Sequence, residues 1–161
     1  GTTLRRPGSR WPLIVLFLMS VTVWLAGSVR ANASTQAADF YYAGGTETIS
    51  TGCGGELELT KVSMTFKCAD GSVTIPYSSI TLMQYRPKLS SQVRKMKLNW
   101  KARPEGTSAK KNLLFTVLYR QGSTTQAMVL KVHPDNMRPY LAAIELNTRM
   151  RIQVWDYRGY D

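Results

Sequence analysis

Histidine and cysteine are nearly absent from this chain of 161 residues, which has one histidine and two cysteines. A Ser–His–Asp arrangement would have to use His133, which directly precedes a proline, and no nucleophile motif accompanies it. One histidine and two cysteines are too few for a structural zinc site. The pair Gly54-Gly55 precedes a predicted strand rather than a helix, which argues against a phosphate-binding loop. We therefore expect no metal, no cofactor and no enzymatic activity.

Acidic residues are also scarce, because 10 acids stand against 21 basic residues and the net charge is +11. Four basic residues precede residue 33, namely Arg5, Arg6, Arg10 and Arg30. The remaining 17 basic residues and all 10 acids lie beyond it, which leaves that part with a net charge of +7. Such an excess favours anionic partners, which include a lipid headgroup surface, nucleic acid and an acidic protein. A solvated basic surface without a specific ligand would show the same excess.

Charge is missing altogether from Trp11–Gly27, a run of 17 residues that follows three arginines. Ala31-Asn32-Ala33 then supplies the small-x-small pattern that signal peptidases accept. The arginines would stay in the cytoplasm while the apolar run enters the membrane, so we expect export across the bacterial inner membrane to the periplasm. We expect residues 1–33 to be a signal peptide cleaved after Ala33. The alternative is a retained membrane anchor at residues 11–27. Export also makes nucleic acid an unsuitable partner.

The two cysteines, Cys53 and Cys68, are an even number in an exported chain, which favours a disulfide. Apolar residues occupy odd positions up to Leu59 and even positions from Val62, and a hairpin that turns at Thr60-Lys61 explains the change. In that register Cys53 lies directly opposite Cys68, and opposed side chains are close enough for a bridge.

The rest of the chain predicts a linker or irregular arm at residues 34–52 and one domain at residues 53–161. Phe40-Tyr41-Tyr42, within the arm, is expected to pack onto the domain. Further strands are predicted at Val73–Tyr85 (with a break near Pro76), Lys95–Lys101, Leu113–Arg120 and Thr125–Val132. His133-Pro134 marks the start of a helix, and a short strand follows at Ile152–Trp155. The helix places four side chains on one face: Met137, Leu141, Ile144 and Thr148.

The run Gly54–Thr60, the turn Asp70-Gly71 and the strand from Ile75-Pro-Tyr-Ser-Ser-Ile80 to Tyr85 resemble bacterial PH-like (pleckstrin-homology-like) and GRAM-like domains. The resemblance covers Gly54 to Ile152. It implies a mainly β fold, a PH-like bent antiparallel barrel or sheet of about six to seven strands capped by a C-terminal amphipathic helix. Here an N-terminal hydrophobic helix would precede it. Members of these families are mostly adaptors for lipids, peptides or proteins. Phosphoinositide recognition does not transfer, because the first hairpin loop carries only Lys61.

The stretch Arg86 to Lys111 holds nine basic residues against one acid, Glu105. Within it, lysines alternate with Met96, Leu98 and Trp100, so the lysines would share one face of a strand. We predict a binding surface for an anionic membrane or an acidic protein, formed by Lys95, Lys97, Lys101, Arg103, Lys110 and Lys111. The alternative is an edge strand that its lysines protect from aggregation.

These patterns together predict an exported, non-enzymatic interaction module of the cell envelope, which binds a protein partner or an anionic membrane surface. The alternative is a membrane-anchored accessory subunit that stabilises a larger membrane complex. The two hypotheses differ in whether residues 11–27 stay attached to the domain.

Overall fold

The computed structural model describes residues 38–106 and 112–154, which all belong to one compact unit, Gln36–Asp161. Their strands are β1 (Phe40–Gly45), β2 (Gly54–Leu59), β3 (Ser63–Cys68), β4 (Gly71–Pro76), β5 (Ile80–Arg86), β6 (Leu113–Gln121), β7 (Thr124–Val132) and β8 (Gln153–Val154). The helices are α1 (Ser91–Lys95) and α2 (Pro134–Thr148), and a 3-10 turn occupies Tyr77–Ser79. Neither helix has the length and apolar character needed to cross a bilayer. The predicted N-terminal hydrophobic helix lies outside the described residues.

The strands form one mixed sheet in the order β4-β3-β2-β1-β7-β6-β5-β8. Neighbouring strands are antiparallel except β5 and β8, which run parallel. The sheet is open, with β4 and β8 as its edges. The predicted mainly β fold with a C-terminal helix is confirmed, but the described sheet has eight strands rather than six or seven.

β1 corrects the prediction of an irregular arm at residues 34–52. It lies in the middle of the sheet between β2 and β7, so the folded domain begins before residue 53. Phe40 and Tyr42 are fully buried in the core. The strand is short and flanked by Ala, Ser and Gly, and its stability comes from pairing with two distant strands rather than from local propensity. That pairing is invisible to a pattern read along the chain.

The first hairpin forms, but its turn lies one residue later than predicted. Leu57 pairs with Phe66 and Leu59 with Met64, so the turn residues are Lys61-Val62. The hydroxyl oxygen of Thr60 accepts hydrogen bonds from the backbone N–H groups of Ser63, at 3.0 Å, and of Val62, at 3.2 Å. Thr60 therefore stabilises the later turn, which the alternation of apolar residues alone did not distinguish.

The predicted disulfide between Cys53 and Cys68 is confirmed, although the two residues are not directly opposed. Cys68 pairs with Gly55, and Cys53 precedes β2, yet the Cα atoms of the two cysteines are 6.1 Å apart. Gly55 leaves the space that the bridge needs, because a Cβ at that position would collide with the carbonyl oxygen of Lys67 and lie 2.9 Å from the Cβ of Cys68. The bridge therefore runs diagonally across the strand pair.

The two faces of the sheet carry separate apolar clusters, since β6 and β7 are buried on both sides. On the inner face, α2 covers a core that includes Phe115 and Leu130. The predicted apolar face of the helix is confirmed, since Met137 and Ile144 are buried, and Leu141 and Thr148 are half-buried. On the outer face a smaller cluster contains Ala43, Leu114, Leu118, Ala127 and Val129.

Candidate functional site

The predicted strand at Lys95–Lys101 is wrong, because α1 ends at Lys95 and residues 96–101 belong to no strand of the sheet. Ser90 begins the helix, and its hydroxyl oxygen accepts a hydrogen bond from the backbone N–H of Val93 at 3.3 Å. The segment after α1 packs on the apolar outer face of the sheet, and at its end Ala102 forms a single antiparallel bridge with Gly45.

The alternation of side chains nevertheless survives, because an extended backbone turns successive side chains to opposite sides with or without a sheet partner. Met96, Leu98 and Trp100 are half-buried and pack against the outer cluster. The segment is fixed at its far end to β1. The backbone N–H of Lys101 donates to the carbonyl of Gly45, whose own N–H donates to the carbonyl of Ala102, both at 2.9 Å.

Gly44 permits this close crossing of β1. A Cβ on Gly44 would stand 2.5 Å from the carbonyl oxygen of Ala102 and 2.9 Å from the ring of Pro104. The chain after Trp100 can therefore approach the backbone of β1 only where a residue without a side chain lies beneath it.

We call residues 94–103 the basic belt. Its ten residues contain no acid and five cations, all of them exposed: Arg94, Lys95, Lys97, Lys101 and Arg103. Within residues 38–106 and 112–154, the one carboxylate within 4.0 Å of a basic side chain is that of Asp135, 3.5 Å from Nδ1 of His133, so no belt cation is neutralised by a carboxylate there. The guanidinium of Arg103 donates to the backbone carbonyl of Arg94 at 3.1 Å, which links the two ends of the belt.

The position of the belt does not fit the alternative interpretation, in which its lysines protect an edge strand from aggregation. Lysines protect a sheet when they lie on an exposed edge strand. The edges of the described sheet are β4 and β8, and the belt is neither. Edge protection therefore does not explain Lys95, Lys97 and Lys101. Lys110 and Lys111, the other two lysines predicted for the surface, lie outside the described residues.

A groove with a cavity volume of about 370 Å³ separates the end of the belt from β1 and β7. Its lining includes Arg103 from the belt and Lys131 from β7, together with Tyr41, Thr51 and Glu105. Lys131 pairs with Tyr41 in the sheet and is half-buried. Among the described residues, no carboxylate lies within 4.0 Å of its ammonium group.

Sequence reasoning missed Lys131, although the sequence contains a signal for it. Within the predicted strand Thr125–Val132, Lys131 shares a face with the apolar residues Ala127 and Val129. A cation in line with buried apolar residues is unusual without a partner. Its proximity to Arg103 is a tertiary feature, because 28 positions of chain separate them.

His133 has a structural position at the start of α2. Its Nδ1 accepts a hydrogen bond from the backbone N–H of Asp135 at 3.1 Å, so the imidazole caps the helix. Among the described residues, no three His, Cys, Asp or Glu side chains are grouped closely enough to hold a metal ion.

No protein-family model matches the chain, and no curated protein matches it. Its function is therefore inferred from the belt, the groove and the sheet that holds them.

Proposed function

We propose that this protein is an exported, non-enzymatic interaction module of the bacterial cell envelope, which docks on an anionic membrane surface through its basic belt. The observation that carries the proposal is the two-sided construction of the belt. Its apolar side chains fix it to the outer face of the sheet, and its five cations are exposed, with no carboxylate partner among the residues that the structure describes. Cations that are held close together repel one another, and an anionic surface beside them reduces this repulsion.

A membrane fits this arrangement better than a single acidic side chain would. The belt cations are spread along ten residues, and lysine side chains are long and adaptable, so they match a laterally uniform layer of headgroups. Each cation close to an anionic leaflet contributes about 1 kcal/mol. Several weak contacts of this kind add up to reversible docking that added salt weakens.

We further propose that the fold is PH-like. The strand order β4-β3-β2-β1-β7-β6-β5 supports this, since the two antiparallel groups meet at β1 and β7 and a C-terminal helix covers one face. A rigid sheet of this kind presents loops and segments for binding without any catalytic group. The capping role of His133 is consistent with a protein that binds rather than catalyses.

The experiment compares two triple variants of the full chain, reconstituted in nanodiscs of a neutral lipid so that the apolar run at residues 11–27 contributes equally to each. One variant changes Lys95, Lys97 and Lys101 to Gln. The matched control changes three exposed cations outside the belt to Gln, namely Lys61, Lys67 and Arg120. Binding to phosphatidylglycerol vesicles is measured at low and high salt.

We expect the belt variant to bind these vesicles at least tenfold more weakly, because about 3 kcal/mol of headgroup attraction is lost. High salt should remove the difference between the proteins. Equal losses in both triple variants would reduce the effect to net charge and contradict a docking role for the belt. A loss of binding to polyglutamate, with vesicle binding unchanged, would identify an acidic protein as the partner instead.

A further inference from the structure

We propose that the groove between Arg103 and Lys131 is a binding site for a glycerol-phosphate group. This deepens the proposed function, and it rests on that function only in taking a membrane lipid as one source of the group. The other source is a free phosphate ester in solution, which has the same chemistry.

Lys131 provides the first argument. It lies in β7 on the same face as buried Ala127 and Val129, and it is itself shielded from water over most of its surface. A cation in such a place is unfavourable unless an anion compensates it. Glu105 also lines the groove, yet no carboxylate comes within 4.0 Å of the lysine in the described residues. The structure therefore contains a partly desolvated cation that faces an open cavity.

Arg103 provides the second argument, because it brings a second cation to the same cavity from a different element. Its guanidinium is held in place by the hydrogen bond to the carbonyl of Arg94. A planar guanidinium with donors to spare pairs well with phosphate oxygens. Two cations from different elements that line one cavity match one compact anion better than they match a flat surface.

The other side chains that line the groove, and its cavity volume, indicate what the ligand contains besides a phosphate. Thr51 and Tyr41 carry hydroxyl groups that can donate to phosphate oxygens or accept from a ligand hydroxyl. The Glu105 carboxylate would repel a phosphate placed beside it, so it suits the hydroxyl end of the ligand, from which it can accept hydrogen bonds. The cavity of about 370 Å³ is in the range of small-molecule sites and exceeds the needs of a bare phosphate ion. A phosphate that carries a glycerol satisfies all of these features.

The test uses the full chain in neutral-lipid nanodiscs and three probes. The first is free glycerol 3-phosphate, titrated calorimetrically. The other two are vesicles that contain phosphatidylglycerol or, at equal surface charge, phosphatidylserine. The variant is Lys131→Gln, with Arg103→Gln as a second variant whose exposed position keeps the fold intact. Lys61→Gln, at the distant β2–β3 turn, is the control for loss of a single charge.

We expect the unaltered protein to prefer phosphatidylglycerol vesicles to phosphatidylserine vesicles by about tenfold, and both groove variants to lose this preference. Lys61→Gln should retain it. One-to-one binding of glycerol 3-phosphate, lost in both groove variants but accompanied by no vesicle preference, would assign the site to a free phosphate ester. Absence of both signals, or a preference that survives in both groove variants, would overturn the proposal.

The outcomes separate the groove from the belt. The triple belt variant should weaken binding to both kinds of vesicle by the same factor and leave the preference between them unchanged. If it weakens both while the groove variants do nothing, docking stands and the groove proposal fails. If the preference depends on Lys131 while the belt variant binds normally, the groove proposal stands and docking through the belt fails.

Discussion

Tyr42 and Tyr119 lie beneath the loop between β1 and β2, with their phenol groups turned toward Glu47. The hydroxyl of Tyr119 donates to the carboxylate oxygen Oε1 of Glu47 at 2.7 Å, and that of Tyr42 donates to the backbone carbonyl of the same residue at 3.4 Å. Burial raises the pKa of Tyr42 to about 12. Burial also raises the pKa of Tyr119, and the adjacent Glu47 carboxylate raises it further.

These shifts predict how stability depends on alkaline pH. In the unfolded chain a tyrosine ionises near pH 10, whereas folded Tyr42 keeps its proton until about pH 12. The stabilisation is therefore complete below about pH 10 and is lost as the pH rises through the folded pKa. We expect the melting temperature to fall steeply over this window and less steeply in Tyr42→Phe. An unchanged slope in Tyr42→Phe would contradict the assignment.

Trp100 tests whether the belt is truly anchored to the sheet. It is half-buried against the outer cluster, so Trp100→Ala should lower the free energy of unfolding by about 2 kcal/mol, less than for a fully buried aromatic residue. The neighbouring position 97 supplies the control, because Lys97→Ala alters an exposed side chain and should change stability by less than about 0.5 kcal/mol. Equal effects in urea denaturation would mean that the belt does not pack as described.

At the scale of elements, the hairpin of β2 and β3 illustrates what a pattern can and cannot predict. The alternation of apolar residues correctly predicts both strands, since Leu57 and Phe66 are buried. It does not predict the register, because a shift of two residues in pairing leaves the same side chains facing the core. The hydrogen bonds of Thr60 stabilise the later turn, and in that register Cys68 lies opposite Gly55 rather than opposite Cys53.

The disulfide closes this hairpin across 15 residues of sequence. Changing Cys53 and Cys68 together to Ala should therefore lower the free energy of unfolding by about 3 kcal/mol, because the unfolded chain loses a constraint. Reductant should destabilise the unaltered protein by a similar amount and leave the double variant unaffected. Free thiols on both residues, in protein isolated without reductant, would contradict the bridge.

A variant of Gly55 tests whether the disulfide needs the space that this glycine leaves. Its place beside the bridge leaves no room for a Cβ, which would approach the Cβ of Cys68 to 2.9 Å. We expect Gly55→Ala to slow formation of the disulfide and to destabilise the hairpin. Gly122→Ala gives the opposite case, since its Cβ would meet no atom within 4 Å while the φ of 63° at that turn is unfavourable for alanine, so it reports backbone strain without crowding.

At the scale of the whole molecule, the fate of residues 1–33 decides between a free domain and an anchored one. The small-x-small pattern that ends at Ala33 predicts a mature protein that begins at Ser34. Mass spectrometry of the native protein should find this N-terminus. Retention of Trp11–Gly27, with a protein that stays in membranes after a carbonate wash, would replace the signal peptide with an anchor and favour the accessory-subunit hypothesis.

The sequence alone determined the features that depend on neighbours along the chain. The strands of the β2–β3 and β6–β7 hairpins and the apolar face of α2 follow from periodicity, because each element must bury one side. The capping position of His133 follows from the proline that comes next. The disulfide follows from an even count of cysteines together with the export that the N-terminal pattern predicts. In each case the deciding residues lie within about fifteen positions of one another.

Tertiary structure decided the features that depend on which positions in the sheet are free. β1 is central because β2 and β7 both pair with it, and a local pattern cannot reveal two distant partners. The belt lies on the outer face because its half-buried side chains pack on the apolar cluster there, although its alternation resembles that of a strand. The same packing brings Arg103 to Lys131. Side-chain direction is a local property of the backbone, whereas the surface that those side chains meet is set by the whole sheet.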